Sequence, residues 1–169
     1  MMNLSKFRAE KNDFFKNDPH SPLNPDQIAR FNGLHYFPEN PDLRFEIPIK
    51  EFQTQDKIQI QTSTGDVQFY TRLGKIQFKI NDVQAELTIF HNQYGLFLPF
   101  VDSLAGKETY GAGRYLEPLE QANGLLLVDF NFAYNPYCAY NEQYSCPLTP
   151  WENRLNVPIR AGEKIYQSI

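Results

Sequence analysis

The stretch from Glu108 to Leu116 reads ETYGAGRYL and sets a carboxylate, a phenol and a guanidinium (Glu108, Tyr110, Arg114) close together around two glycines. Gly111 and Gly113 let the backbone turn sharply or approach another group. As a phosphate-binding loop the stretch is weak, because no Lys-Ser or Lys-Thr pair and no helix start follow it. Two readings stay open. The loop presents Arg114 and Tyr110 to a ligand, or it is a glycine-bulged hairpin whose arginine pairs with a nearby carboxylate.

Further chemistry follows in the last third of the chain. Asp129 comes directly after the apolar run Leu125–Val128, where a charge is normally paired. Its expected partner is one of Arg114, Arg154 and Arg160, and its expected role is either to orient a ligand or to hold the next loop by accepting N–H bonds. The segment FAYNPYCAYNEQYSCPL then brings four tyrosines and both cysteines of the chain, with Asn131 just before it and Tyr134 and Asn135 at its start. Two thiols without a close histidine make half a zinc site, so no metal centre is expected. No base stands beside either thiol to make it a nucleophile, so buried or bridged structural cysteines are the first expectation, a redox pair the second and a metal ligand the third. A bridge between Cys138 and Cys146 would stabilise by roughly 2–3 kcal/mol, whereas in a reducing compartment the pair stays as thiols.

The tail PWENRLNVPIRAGEK adds Glu152, Arg154, Arg160, Glu163 and Lys164. Arginine suits planar, bidentate binding of carboxylate or phosphate. If the segments near positions 110, 130 and 155 surround one hollow, then Glu108, Tyr110, Arg114, Asp129, Asn131, Tyr134, Asn135, Glu152, Arg154 and Arg160 line a pocket for a small polar or anionic molecule. The bland alternative is a salt-bridge network that pins an irregular tail. An enzyme is the competing class. No Gly-x-Ser-x-Gly elbow or His-Glu-x-x-His motif supports a hydrolase, and Ser103 lacks those flanks. The cofactor is open, with flavin on a split barrel as the analogy from fold.

The elements that must position these residues can be read along the chain. Leu4, Phe7, Lys11, Phe14 and Phe15 share one stripe of a helix capped by Asn3 and ending before Pro19. A second short helix starts at the Asn24 cap, with Pro25 at its first position, Gln27 shortly after and Gly33 as a stop. The Pro-rich stretch after it runs extended along an edge. From Lys57 the period becomes two. KIQIQT, DVQFYT, KIQFKI and VQAELTIF each put apolar residues on one face, and the Gly, Asn and Asp breaks between them suit tight hairpins. YGLFLPF is a further strand, and the unalternating GLLLVDF reads as a central one. These elements predict a mainly β, single domain over 1–169: a helical segment 1–33, antiparallel strands within 41–132, and an irregular segment 133–169 that closes the structure. A small barrel, which removes strand edges, is preferred over a sandwich.

Taken together, SPL, FNGLHYFP, ETYGAGRYL, DFNFAYNPYCAYN and CPLTPWENRLNVPIRAGEK resemble the bacterial and archaeal domain-of-unknown-function family 1684, over nearly the whole chain. Ala112 stands where a glycine is common in that family and Trp151 where a proline is. The resemblance implies a coherent domain and supplies no reaction.

Composition bounds the rest. The chain has 169 residues, 41% hydrophobic and 21% charged, as a folded domain with a real core does. A net charge of −4 and a pI near 5.4 give no basic face for nucleic acid. The N-terminus has no apolar signal region and no later run spans a bilayer, so a cytoplasmic protein without membrane partners is expected, unless a leader has been trimmed. Phe90, beside Thr88 on the polar face of a strand, hints at a covered surface and a homodimer.

Overall fold

In the computed structural model, which describes residues 2–167, the two expected helices lie at the N-terminal end. Helix α1, Leu4–Asn17, is capped by the Asn3 side chain, which accepts from the Lys6 amide. Helix α2, Pro25–Arg30, has the full reciprocal box: Asn24 accepts from the Gln27 amide while the Gln27 side chain accepts from the Asn24 amide. It ends at Arg30, short of the expected glycine stop. The Gln27 side chain also donates to the carbonyl of Tyr140 at 2.9 Å, tying α2 to the C-terminal segment.

Nine strands follow: β1 Arg44–Ile47, β2 Lys50–Glu51, β3 Lys57–Gln61, β4 Val67–Ile80, β5 Val83–Asn92, β6 Gly95–Phe100, β7 Arg114–Leu116, β8 Leu119–Glu120 and β9 Leu126–Asp129. All named pairings are antiparallel. They form a three-stranded sheet, β1-β9-β8, and a six-stranded sheet, β2-β4-β5-β6-β7, with β3 also on β4. β9 is central and β1 lies on an edge, as their sequences imply.

The sheets do not close into a barrel. They face each other as a sandwich, and the core between them takes Ile76, Phe78, Leu87, Ile89, Leu98 and Phe100 from the large sheet and Val128 from β9. Phe130, just past β9, contacts Phe78 and Phe100 with ring centroids 5.5 and 5.2 Å apart.

Three local features depart from the sequence reading, each for a physical reason. DVQFYT and KIQFKI are not two strands but one 14-residue β4, in which RLG makes a register shift between Arg72 and Gly74. Gly74 is required there because a Cβ would lie 2.5 Å from the Lys50 carbonyl of β2. The second face of the meander is covered and not polar: Ile60, Tyr70, Phe90, Phe97 and Tyr115 form their own buried cluster. Phe90 is thus hidden by its own chain. Beyond Phe90 and Phe97, strands β5 and β6 separate. Pro99 has no N–H for the ladder. The buried Asn153 side chain fills the gap, accepting from the Thr88 amide and donating to the carbonyls of Thr88 and Pro99, each at 2.8 Å. In this way the irregular tail is stitched into the large sheet. Among the described residues, no helix is long and apolar enough to cross a membrane.

Candidate functional site

Arg114 opens β7 just after Gly113, whose φ of +102° and 2.6 Å approach to the Phe100 carbonyl (for a notional Cβ) press the loop against β6. Only 1% of Arg114 is exposed. Its Nη1 donates to the carbonyls of Ala161 at 2.5 Å and Glu163 at 3.0 Å, and Nη2 donates to that of Ile159 at 2.8 Å. Burial pulls its pKa down to about 10, against the opposing fields of Asp102 and Glu163. Asp102 Oδ2 lies 3.8 Å away. That carboxylate accepts from the Ile159 amide at 2.8 Å and the Thr109 hydroxyl at 2.7 Å. Arg114 and Asp102 therefore clamp residues 159–163 by their main chain. The guanidinium faces protein carbonyls and no ligand space.

The other expected site residues fall into separate small groups. Arg160 is exposed and pairs with Glu108 at 2.5 Å. Arg154, also exposed, stacks over the Trp151 ring at 4.2 Å. Glu152 takes a two-pronged bond from Arg72, at 3.0 and 2.6 Å. Asp129 pairs with Arg44 at 3.2 Å and with none of the three expected arginines, because β1 lies against β9 in a register that puts residues 44 and 129 opposite each other. Asp129 also accepts from the backbone and side-chain N–H groups of Asn131, which in turn exchanges two hydrogen bonds with the Asn40 backbone. The structural reading holds for this aspartate. Among the described residues, the three arginines expected to converge lie apart in environment: Arg114 is buried, while Arg154 and Arg160 are exposed.

A different hollow lies beside α1. The stripe Phe7, Lys11 and Phe14 faces Tyr115, Tyr134, Tyr137 and Tyr144 across a groove of about 640 Å³, with Cys146 in its wall. A second hollow of about 700 Å³ is also lined by Phe7 and Tyr134, together with Leu116, Leu127 and Phe132. Tyr134, from the sequence set, therefore borders two cavities. Its hydroxyl donates to Glu117, and burial raises its pKa well above the usual phenol range. Tyr115 is fixed by donating to the Pro147 carbonyl.

One cation stands in the groove wall. Lys11 Nζ is 3.2 Å from Glu163 Oε1 and 4.8 Å from the centre of the Tyr134 ring. Glu163 is 1% exposed and also accepts from the Tyr140 hydroxyl at 3.0 Å and from the Asn135 amide. The Asn135 side chain donates to the Lys164 carbonyl at 3.0 Å, while its buried Oδ1 has no hydrogen-bond partner. Lys11, Glu163, Glu117 and Asp102 escaped sequence reasoning as site residues. Lys11 left a signal, a charge set among phenylalanines on an otherwise apolar stripe, and Glu163 another, as one of the ionisable residues of the tail. Tyr110 contacts a thiol, with its hydroxyl 3.7 Å from Cys138 Sγ, and both cysteines are free. Among the described residues, no three His, Cys, Asp or Glu side chains cluster as metal ligands.

Comparison with known proteins places this architecture. No curated protein matches the chain significantly. The chain is similar to an uncharacterized protein of Haloarcula marismortui whose solution NMR structure superposes with a TM-score of 0.72, at 33% sequence identity, over 95% of this chain and 91% of that one. The profile of the family described as "Protein of unknown function (DUF1684)" matches residues 29–164. With that match spanning most of its length, the chain belongs to the DUF1684 family.

Proposed function

We propose that this domain is a small-molecule binding module whose ligand lies in the groove between α1 and residues 134–147. The observation that carries the reading is the groove itself: about 640 Å³ walled by phenylalanines and tyrosines, with the Lys11 ammonium beside it. That volume is within the range of about 300–1,000 Å³ typical of ligand sites, and aromatic walls with few polar groups are their usual lining. Glu163 takes one of the three N–H donors of Lys11, so two are left for an oxygen of the ligand. The ligand class that fits is a flat, largely apolar body with a carboxylate or other oxygen at one end. The reading of a polar or anionic ligand is kept in this form, with tyrosines and a lysine in place of the arginines.

A flavin-dependent enzyme has less support. That reading leaned on a split barrel, and these sheets stay open.

The test is a thermal-shift titration with planar aromatic carboxylates, benzoate and naphthoate first. A ligand selective for the folded state adds about 2.7 kcal/mol at one hundred times its Kd. For a chain of this size that raises Tm by about 5–10 °C. Tyr144→Ala removes a groove wall and should weaken the effect. An unchanged response in that variant, or none in the native protein, refutes the proposal.

A further inference from the structure

The two cysteines form a contact that groove binding does not use. Cys138 lies in the turn Tyr137–Ala139 and is partly exposed, whereas Cys146 is buried. The Cys138 amide donates to Cys146 Sγ at 3.3 Å, which sets the two cysteines side by side. Both positions are anchored. The intervening chain is held by amides of Tyr140 and Asn141 donating to the Tyr137 carbonyl, and the main chain of Cys146 exchanges bonds with Ser63. The Tyr110 hydroxyl lies 3.7 Å from the Cys138 sulfur.

This environment treats the two sulfurs unequally. Donors from Cys146, Tyr110 and Ser63 hold the Cys138 thiol down at about 6, against the effect of burial. The neighbouring Cys138 and then burial push the Cys146 thiol well up. The accessible sulfur is therefore the thiolate and the buried one keeps its proton. Partial exposure, the Tyr110 hydroxyl 3.7 Å away and a second cysteine whose sulfur accepts its amide are the features of a reactive thiol and not of an inert buried one.

We propose that Cys138 and Cys146 are a redox-active dithiol that exchanges with low-molecular-weight disulfides, Cys138 attacking and Cys146 resolving. The Cys138 thiolate attacks one sulfur of R–S–S–R. The S–S bond breaks, one RS⁻ leaves and takes a proton, and Cys138 carries a mixed disulfide. Cys146 gives its proton to solvent and attacks the Cys138 sulfur, and the second RS⁻ leaves and is protonated. Two protein thiols and R–S–S–R thus become one protein disulfide and two R–SH, with two electrons passing from the protein to the small disulfide. Because Cys146 lines the groove, the bond forms at the edge of the proposed ligand site, although the exchange does not depend on ligand binding.

The magnitude is modest. A pKa near 6 in place of 9.0 gives roughly ninety times more thiolate at neutral pH, but the lower basicity costs about twentyfold in nucleophilicity, leaving an advantage of about fourfold over an ordinary cysteine.

The experiment treats the reduced full-length chain with glutathione disulfide and follows intact mass after acid quench. The native protein should pass through a transient adduct and end as the internal disulfide. Cys146→Ser should stop at one adduct, and Cys138→Ser should form neither product at the native rate. Tyr110→Phe should shift the pH midpoint of the reaction upward. Circular dichroism checks that each variant folds, and the transient adduct of the native protein serves if Cys146→Ser does not. A native protein that keeps both thiols unmodified, or Cys138→Ser reacting as fast as native, overturns the assignment.

Discussion

Replacing Arg114 with methionine keeps most of the stem volume while deleting the donors that hold residues 159–163. Three carbonyls, those of Ile159, Ala161 and Glu163, lose their partner inside the protein. Asp102 loses its neighbouring cation. An unsatisfied buried acceptor costs about 1–3 kcal/mol, and removing one member of a buried pair costs about 3–5 kcal/mol. These overlap and do not add, and the loss of one buried charge offsets part, so the expected destabilisation is about 4 kcal/mol. That is a large share of the roughly 5–15 kcal/mol available to a folded domain. Tm should fall by about 8–16 °C at roughly 2–4 °C per kcal/mol. Equilibrium urea unfolding followed by far-UV circular dichroism measures the loss directly, since Trp151 is 80% exposed and a poor fluorescence probe of the core. The exposed pair members set the contrast: Arg154→Ala and Arg160→Ala should change stability by no more than about 0.5–1 kcal/mol. A loss below about 1 kcal/mol for Arg114→Met would refute its role as the anchor of the tail. So would full stability combined with lost ligand binding, which would return Arg114 to a binding site.

Other perturbations read the same architecture. Gly162 has φ +75°, and a Cβ there would lie 2.6 Å from the Ala133 carbonyl, so Gly162→Ala should destabilise by on the order of 2–3 kcal/mol in the same urea assay. Asn153→Ala leaves the Thr88 amide and the Thr88 and Pro99 carbonyls without their side-chain partners and should cost about 2–4 kcal/mol, seen also as faster hydrogen exchange at Thr88. In the reduced protein, Cys138 is depressed from 9.0 to about 6, so the unfolded chain binds more protons between those values and stability rises with pH across that window. This contribution is lost as pH falls through about 6, and above 9.0 the raised Cys146 thiol works in the opposite sense. Urea midpoints across the window check the slope, and Cys138→Ser should flatten it.

What the sequence disclosed was mostly local. The Asn3 and Asn24 caps and the hairpin at Asn81 and Asp82, where both φ are positive, depend on neighbours a few residues away. The central position of β9 was legible because a strand covered on both sides loses its alternation. The choice between barrel and sandwich was not, since it depends on which edges meet, and nothing near Arg44 announces that it will lie opposite Asp129. Arg114 misled for a related reason. Its partners are backbone carbonyls about 45–49 positions away, and carbonyls leave no mark in a sequence. The groove escaped because its walls come from segments far apart in the chain, a helix stripe at 7–14 and tyrosines at 115–144, whose meeting leaves no local pattern. Of the ten residues expected to line a pocket, Tyr134 alone borders it, with Cys146 from the expected cysteine pair.

The most direct test of the groove as the binding site is chemical-shift mapping on the isotope-labelled protein titrated with naphthoate. The largest changes should cluster at Lys11, Phe14, Tyr134, Tyr144 and Cys146, which line the groove. Changes centred on Glu108 and Arg160, which pair on the exterior, or saturable binding with no response at Lys11 and Tyr134, would contradict it.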